Sequence, residues 1–152
     1  MILYIDTSDA EKMTIALGKN GKVVAKRSLK AKYKQAEKLL PAIDILLKKF
    51  NVQKTLDIRG IAVVKGPGPF TALRIGVATA NALAYAINKE QGTSNKTTKR
   101  KISVVGISKD EYKDLDELMQ KIEDKMKKAK KGSIIEPEYG KEPNITVSKK
   151  SY

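Results

Sequence analysis

Lys65-Gly66-Pro67-Gly68-Pro69-Phe70-Thr71-Ala72-Leu73-Arg74-Ile75-Gly76-Val77-Ala78-Thr79-Ala80-Asn81-Ala82-Leu83-Ala84-Tyr85 joins a Gly/Pro turn to an apolar helix, and this junction decides the fold. Upstream, Arg59-Gly60-Ile61-Ala62-Val63-Val64 reads as a buried strand. Downstream, Ile102-Ser103-Val104-Val105-Gly106 reads as another, with the helix predicted from Phe70 to Asn88 between them. Strand, helix, strand at this spacing is a βαβ crossover, which sets the two strands parallel in one sheet. Within the helix, Ala72, Gly76, Ala80 and Ala84 recur every fourth residue and line one thin stripe. Small side chains shorten the distance between packed helices, whether the second helix belongs to the same chain or to another.

The Gly66-Pro67-Gly68-Pro69 turn also reads two ways. A glycine-rich strand-to-helix turn can cradle phosphate at the helix N-terminus. Here two prolines remove backbone donors, and no Lys-Ser/Thr ending follows as in a P-loop, which disfavours a standard nucleoside triphosphate site.

Towards the N-terminus, Ile2 to Asp6, Met13 to Leu17 and Val23 to Leu29 are short apolar or alternating runs. Lys19-Asn20-Gly21-Lys22 is a hairpin turn with Asn-Gly at its centre, so the chain begins as an antiparallel meander. A helix follows in which Leu39, Leu40, Ile43, Leu46, Leu47 and Phe50 make a broad apolar face, with Pro41 bending it or lying in its first turn. The expected core is a five-stranded mixed sheet, three antiparallel strands and then a parallel pair, with flanking helices. Gln91 to Lys101 is polar and basic and reads as a loop. Asp110 to Lys130 has a charged helical pattern with Leu115, Leu118, Ile122 and Met126 as its apolar stripe. After Gly132, prolines at 137 and 143 rule out a helix, and Ile145-Thr146-Val147 fits a short strand or an extended arm. The chain thus divides into residues 1–108 and a smaller C-terminal region, 109–152.

A chain of 152 residues is long enough for one real core. It contains neither cysteine nor histidine, so zinc catalysis and thiol or Ser-His nucleophiles have no obvious players. Carboxylates, lysines and hydroxyls remain, which leaves magnesium sites, lysine chemistry or no chemistry. The net charge of +14 suits phosphate-rich partners. Yet arginine occurs only at Arg27, Arg59, Arg74 and Arg100, and guanidinium is the group best shaped for phosphate. No apolar run looks long enough to cross a bilayer, and Met1-Ile2-Leu3-Tyr4-Ile5-Asp6 lacks the basic start of a signal peptide. The expectation is a cytoplasmic protein without membrane contact.

Taken together, Ile5-Asp6-Thr7-Ser8, Gln35-Ala36-Glu37-Lys38-Leu39-Leu40-Pro41, Gly66 through Ala84, Val104-Val105-Gly106-Ile107-Ser108 and the tail from Pro137 to Lys149 resemble the TsaB family. That family supplies the dimerisation subunit of the bacterial complex that makes threonylcarbamoyladenosine in tRNA. The resemblance implies an actin-like, ribonuclease-H-like fold of the ASKHA class, in agreement with the meander and βαβ unit. It also implies a non-catalytic subunit without a cofactor, which binds a TsaD-type transferase through N-terminal helices. Further implied partners are a TsaE-type ATPase, tRNA through the complex, and a second copy of the chain in isolation.

On this reading the partner interface comprises Leu39, Ile43, Leu46, Ala72, Gly76, Ala80 and Ala84, and Gly76→Leu is expected to block association while leaving the fold intact. Asp6, Thr7 and Ser8, with Gly66 and Gly68, stand where catalytic ASKHA proteins hold phosphate. The competing reading of Asp6-Thr7-Ser8 is a strand-end turn capped by polar side chains. Lys96, Lys99, Arg100 and Lys101 are the candidate tRNA contacts. The chain departs from the family pattern at Gln35-Ala36-Glu37, where His-Ser-Glu is common, and at Pro69 and Ala72, where Ser and Gly are common. Its C-terminal region is also much shorter. Two alternatives from other classes are a magnesium-nucleotide enzyme built on Asp6 and the Gly66 loop, and a stand-alone RNA-binding module.

Overall fold

Asn20 and Gly21 both take positive φ, 53° and 72°, the conformation that a two-residue hairpin turn needs and that Asn-Gly provides at little steric cost. The turn joins β2 (Lys12–Lys19) to β3 (Lys22–Lys30), and β2 also pairs antiparallel with β1 (Ile2–Asp6). The computed structural model describes residues 1–52, 57–93 and 101–138. After the meander come α1 (Gln35–Lys49), β4 (Gly60–Gly66), α2 (Phe70–Thr93), β5 (Ser103–Ser108), a short 3-10 turn at Lys109–Glu111, and α3 (Leu115–Lys128). The strand order is β3-β2-β1-β4-β5, with β1, β4 and β5 mutually parallel, as the crossover requires. The parallel strands run further than expected, to Gly66 and Ser108, and α2 continues to Thr93 through the start of the expected loop.

Alternation along the strands sends side chains to two faces, and each face is sealed separately. Leu3, Ile5, Ile15, Leu17, Ile61, Val63 and Val104 point to the side covered by α1 and α2. Ile2, Tyr4, Ala16, Ala62, Val64, Val105 and Ile107 point to the side covered by α3. The result is three layers. The charged helix of the C-terminal region is therefore the second lid of the sheet, with Leu118, Met119 and Ile122 fully buried. It starts at Asp114, whose carboxylate caps the Glu117 amide at 2.8 Å, and its acidic side chains bind the hairpin: Glu123 accepts from Gly21 N and Asp116 from Val23 N, both at 2.9 Å. Met119 fills the space that a side chain at position 18 would take, and Met126 does the same opposite Gly60.

Pro41 lies inside α1 on its solvent face. The broad apolar face expected of α1 is narrower in the structure: Leu39, Ala42, Ile43 and Leu46 are buried, Leu47 is half-buried, and Leu40 and Phe50 are exposed.

Candidate functional site

At the end of β1 the three expected phosphate-loop side chains are all committed within the chain. Asp6 Oδ1 accepts from Ser8 N at 2.9 Å and from Ser8 Oγ at 2.6 Å, closing a turn of the Asx kind. Its second oxygen faces the Tyr4 hydroxyl at 3.4 Å, and that hydroxyl is 2.8 Å from Tyr112 Oη. Burial, reinforced by the Asp6 carboxylate, holds the Tyr4 hydroxyl far above the ordinary phenol range, so it stays a neutral partner. Thr7 is fully buried and donates to Ala72 O at 2.6 Å, tying the strand end to the first turn of α2. Gly68 packs on the Ser8 backbone and Gly66 on Glu138 O, where a side chain at either glycine would collide. This geometry favours the capped strand-end turn over a phosphate cradle.

The small-residue stripe of α2 faces inward. Ala72, Ala80 and Ala84 are buried against the sheet, and Gly76 lies directly against the Thr7 side chain, leaving no space for even one methyl. Leu39, Ile43 and Leu46 of α1 are likewise in the core. All seven residues expected on the partner interface are therefore used by this chain's own packing. The four-residue spacing predicts a helix seam, but small side chains shorten the approach of a helix to a sheet in the same way. Gly76→Leu accordingly becomes a test of folding.

The outer surface of these helices tells a different story. On α2, Ala78, Ala82 and Ala86 form a second four-spaced run, exposed and one side of the helix away from the first. Tyr85 (69% exposed) and Phe70 (46%) flank it, with the Arg74 guanidinium stacked over the Phe70 ring at 5.2 Å. On α1, Leu40 and Ile45 are half exposed. Sequence reading missed this face because α2 carries small apolar residues on more than one side, and period alone does not say which side is covered. Contrary to the sequence expectation, residues 70–90 have the length and composition of a membrane span. Their inner half seals the sheet, as a soluble core helix does.

The tail recrosses the molecule. From α3, on one face of the sheet, the chain returns to the other, where Ile135 packs against the α1/α2 core. The Asn81 side chain clamps the Ile135 backbone twice, donating to its carbonyl at 2.8 Å and accepting from its amide at 3.1 Å. Glu138 N donates to Lys65 O at 2.7 Å, and the Glu138 carboxylate pairs with the Lys65 ammonium. Of the expected tRNA contacts, Lys101 is exposed just before β5, whereas Lys96, Lys99 and Arg100 lie outside the described residues, as does Ile145-Thr146-Val147.

A family model described as TsaD, tRNA N6-adenosine threonylcarbamoyltransferase, matches residues 25–92, from β3 through α2. The tRNA threonylcarbamoyladenosine biosynthesis protein TsaB of Bacillus subtilis (strain 168) is 36% identical over 87 residues, covering 57% of this chain and 37% of that protein. YeaZ from Pseudomonas aeruginosa superposes with a TM-score of 0.57 at 27% identity, over 70% of this chain and 43% of that one. A structure titled as an uncharacterized protein with similarity to peptidase YeaZ, from the same organism, gives the same TM-score and identity over 42% of its length. The chain thus spans about two fifths of the length of these relatives.

Proposed function

We propose that this chain, similar to TsaB, is a non-catalytic scaffold of the TsaB type in the making of threonylcarbamoyladenosine in tRNA, docking a TsaD-type transferase on the outer faces of α1 and α2. The observation that carries this reading is the exposed apolar half of α2, with Ala78, Ala82 and Tyr85, beside Leu40 and Ile45 of α1. An apolar helix face left in water is a docking surface by default. The alanine run lets a partner helix approach closely, so two helices from each protein can pack as a bundle. The family model that matches this region is that of the transferase itself, which supports a partner built on a related unit.

No step of chemistry is assigned to this chain. Asp6 is the carboxylate that the magnesium-nucleotide reading rests on, and its oxygens already serve Ser8 and Tyr4. The chain's part in the reaction is then to hold the transferase in a competent form, while the net charge of +14 attracts tRNA over a screened distance.

Sedimentation of the chain with a TsaD-type transferase, followed by a transfer assay on the mixture, tests the proposal. The expected result is a one-to-one complex that restores transfer, no transfer by the chain alone, and loss of the complex in Ala82→Lys with its melting temperature unchanged. Absence of any complex with the wild-type chain overturns it.

A further inference from the structure

On the edge of α2, residues of this helix, of β5 and of the returning tail line a half-open cavity of about 410 Å³. Its walls are Ala84, Ile102 and Val104, and its two gateposts are Tyr85 from α2 and Ile134 from the tail, 69% and 73% exposed. Asn81 and Asn88 border it seven residues apart on one edge of α2, a distance of about 10 Å. Each amide is already satisfied by main chain at both ends. Asn81 holds Ile135, and Asn88 accepts from Ile102 N at 2.7 Å and donates to Ile102 O at 3.2 Å. An apolar occupant therefore strands neither amide. Lys89 and Lys101 line the cavity, and among the described residues no carboxylate pairs with either.

We propose that this cavity is an anchor pocket, in which α2 and the tail together receive an apolar side chain of the protein partner from a helix flanked by carboxylates. The inference rests on the scaffold reading and deepens it. Tyr85 belongs to the same outer face as Ala78 and Ala82, so a helix laid along that face reaches the pocket at its far end. The two lysines, which pair with no carboxylate among the described residues, set the charge of the occupant: acidic residues beside the apolar anchor are attracted and basic ones repelled. The tail then has a role at the interface, since the Asn81 clamp on Ile135 is what positions the neighbouring Ile134 side chain at the mouth.

Affinity of the full chain for the TsaD-type transferase, measured by calorimetry, tests the pocket. Ile134→Asp and Tyr85→Ala alter exposed side chains and should leave the melting temperature unchanged. Each is expected to weaken binding by about tenfold or more, as truncating a buried anchor does. The Lys89→Glu, Lys101→Glu double variant should also weaken binding, and raising the salt concentration should then improve its affinity where it reduces that of the wild type. If all of these variants bind like wild type while Ala82→Lys does not bind, the pocket is overturned and the scaffold reading stands. If the wild-type chain does not bind the transferase at all, both fall. If the variants lose only self-association, seen by sedimentation of the chain alone, the occupant is a second copy and the proposal is overturned.

Discussion

Adding one methyl group at Gly76 should reverse its effect on stability according to what stands at position 7. In an exposed helix interior Gly→Ala is favourable by about 1 kcal/mol. Here the new Cβ meets Thr7 Oγ1 well inside van der Waals contact. Thr7 is fully buried and its hydroxyl is held at 2.6 Å by Ala72 O, so turning it away leaves a buried donor unpaired, at about 1–3 kcal/mol. The alternative relaxation lifts α2 from β1 and costs about the same, as overpacking does. Subtracting the propensity gain leaves Gly76→Ala destabilising by up to about 2 kcal/mol. In a Thr7→Ala background the obstacle is gone, and the same substitution should stabilise by up to about 1 kcal/mol. The predicted coupling is therefore about 1–3 kcal/mol, above the deviation from additivity expected of independent sites. Urea unfolding followed by circular dichroism on the four proteins of the cycle measures it. Equal effects of Gly76→Ala in both backgrounds would refute the contact on which the inward assignment of the stripe rests.

Two further predictions concern carboxylates. The Glu111 pKa lies below its ordinary value of 4.5, first because Lys125 hydrogen-bonds its carboxylate and also because Ser108 N does. A depressed carboxylate contributes stability that is present above the unfolded value and lost as pH falls through the folded one. Stability should therefore decline below about pH 4.5, and Glu111→Gln should flatten that decline in acid unfolding curves while lowering stability modestly at pH 7. Asp6→Ala removes two acceptor contacts of the strand-end turn and should cost about 1–2 kcal/mol, with transfer by the complex unchanged at temperatures where the variant is folded. Loss of transfer by a folded Asp6→Ala protein would return the magnesium-nucleotide reading to the front.

The elements that sequence reading placed well are those whose cause is local. Asn20-Gly21 dictates a hairpin by its own backbone preferences, and the βαβ order dictates a parallel pair by the geometry of return. Asp114 was not recognised as the cap of α3, although its place just before an acidic first turn was a readable signal. Met119 was missed for a different reason. It lies beside Leu118, off the simple stripe, and its place is made by the missing side chain of Gly18, about a hundred residues earlier. The Asn81 clamp on Ile135 is likewise beyond any local pattern, because an asparagine in a helix gives no sign of the backbone it will bind. At the candidate site, the seven residues expected at a partner interface lie on the buried faces of α1 and α2. The spacing of Ala72, Gly76, Ala80 and Ala84 announces a close approach, without saying whether the approaching surface is a helix or a sheet.

That ambiguity has a physical source in α2 itself. A helix covering two parallel strands needs an apolar inner face to fold, and a helix that docks a partner needs an apolar outer face to associate. Both demands on one helix erase the polar side from which orientation is ordinarily read. What separates the faces is side-chain size combined with long-range contact. Inside, Gly76 is compelled by Thr7, and the neighbouring stripe must stay small for the strand end to be tied to the first turn of the helix. Outside, Ala78, Ala82 and the bulky Tyr85 are exposed, and Phe70, with Arg74 over its ring, is half exposed. An exposed apolar surface costs solubility and contributes nothing to folding the monomer, so under the proposed docking the outer face of α2 is accounted for by the partner that covers it.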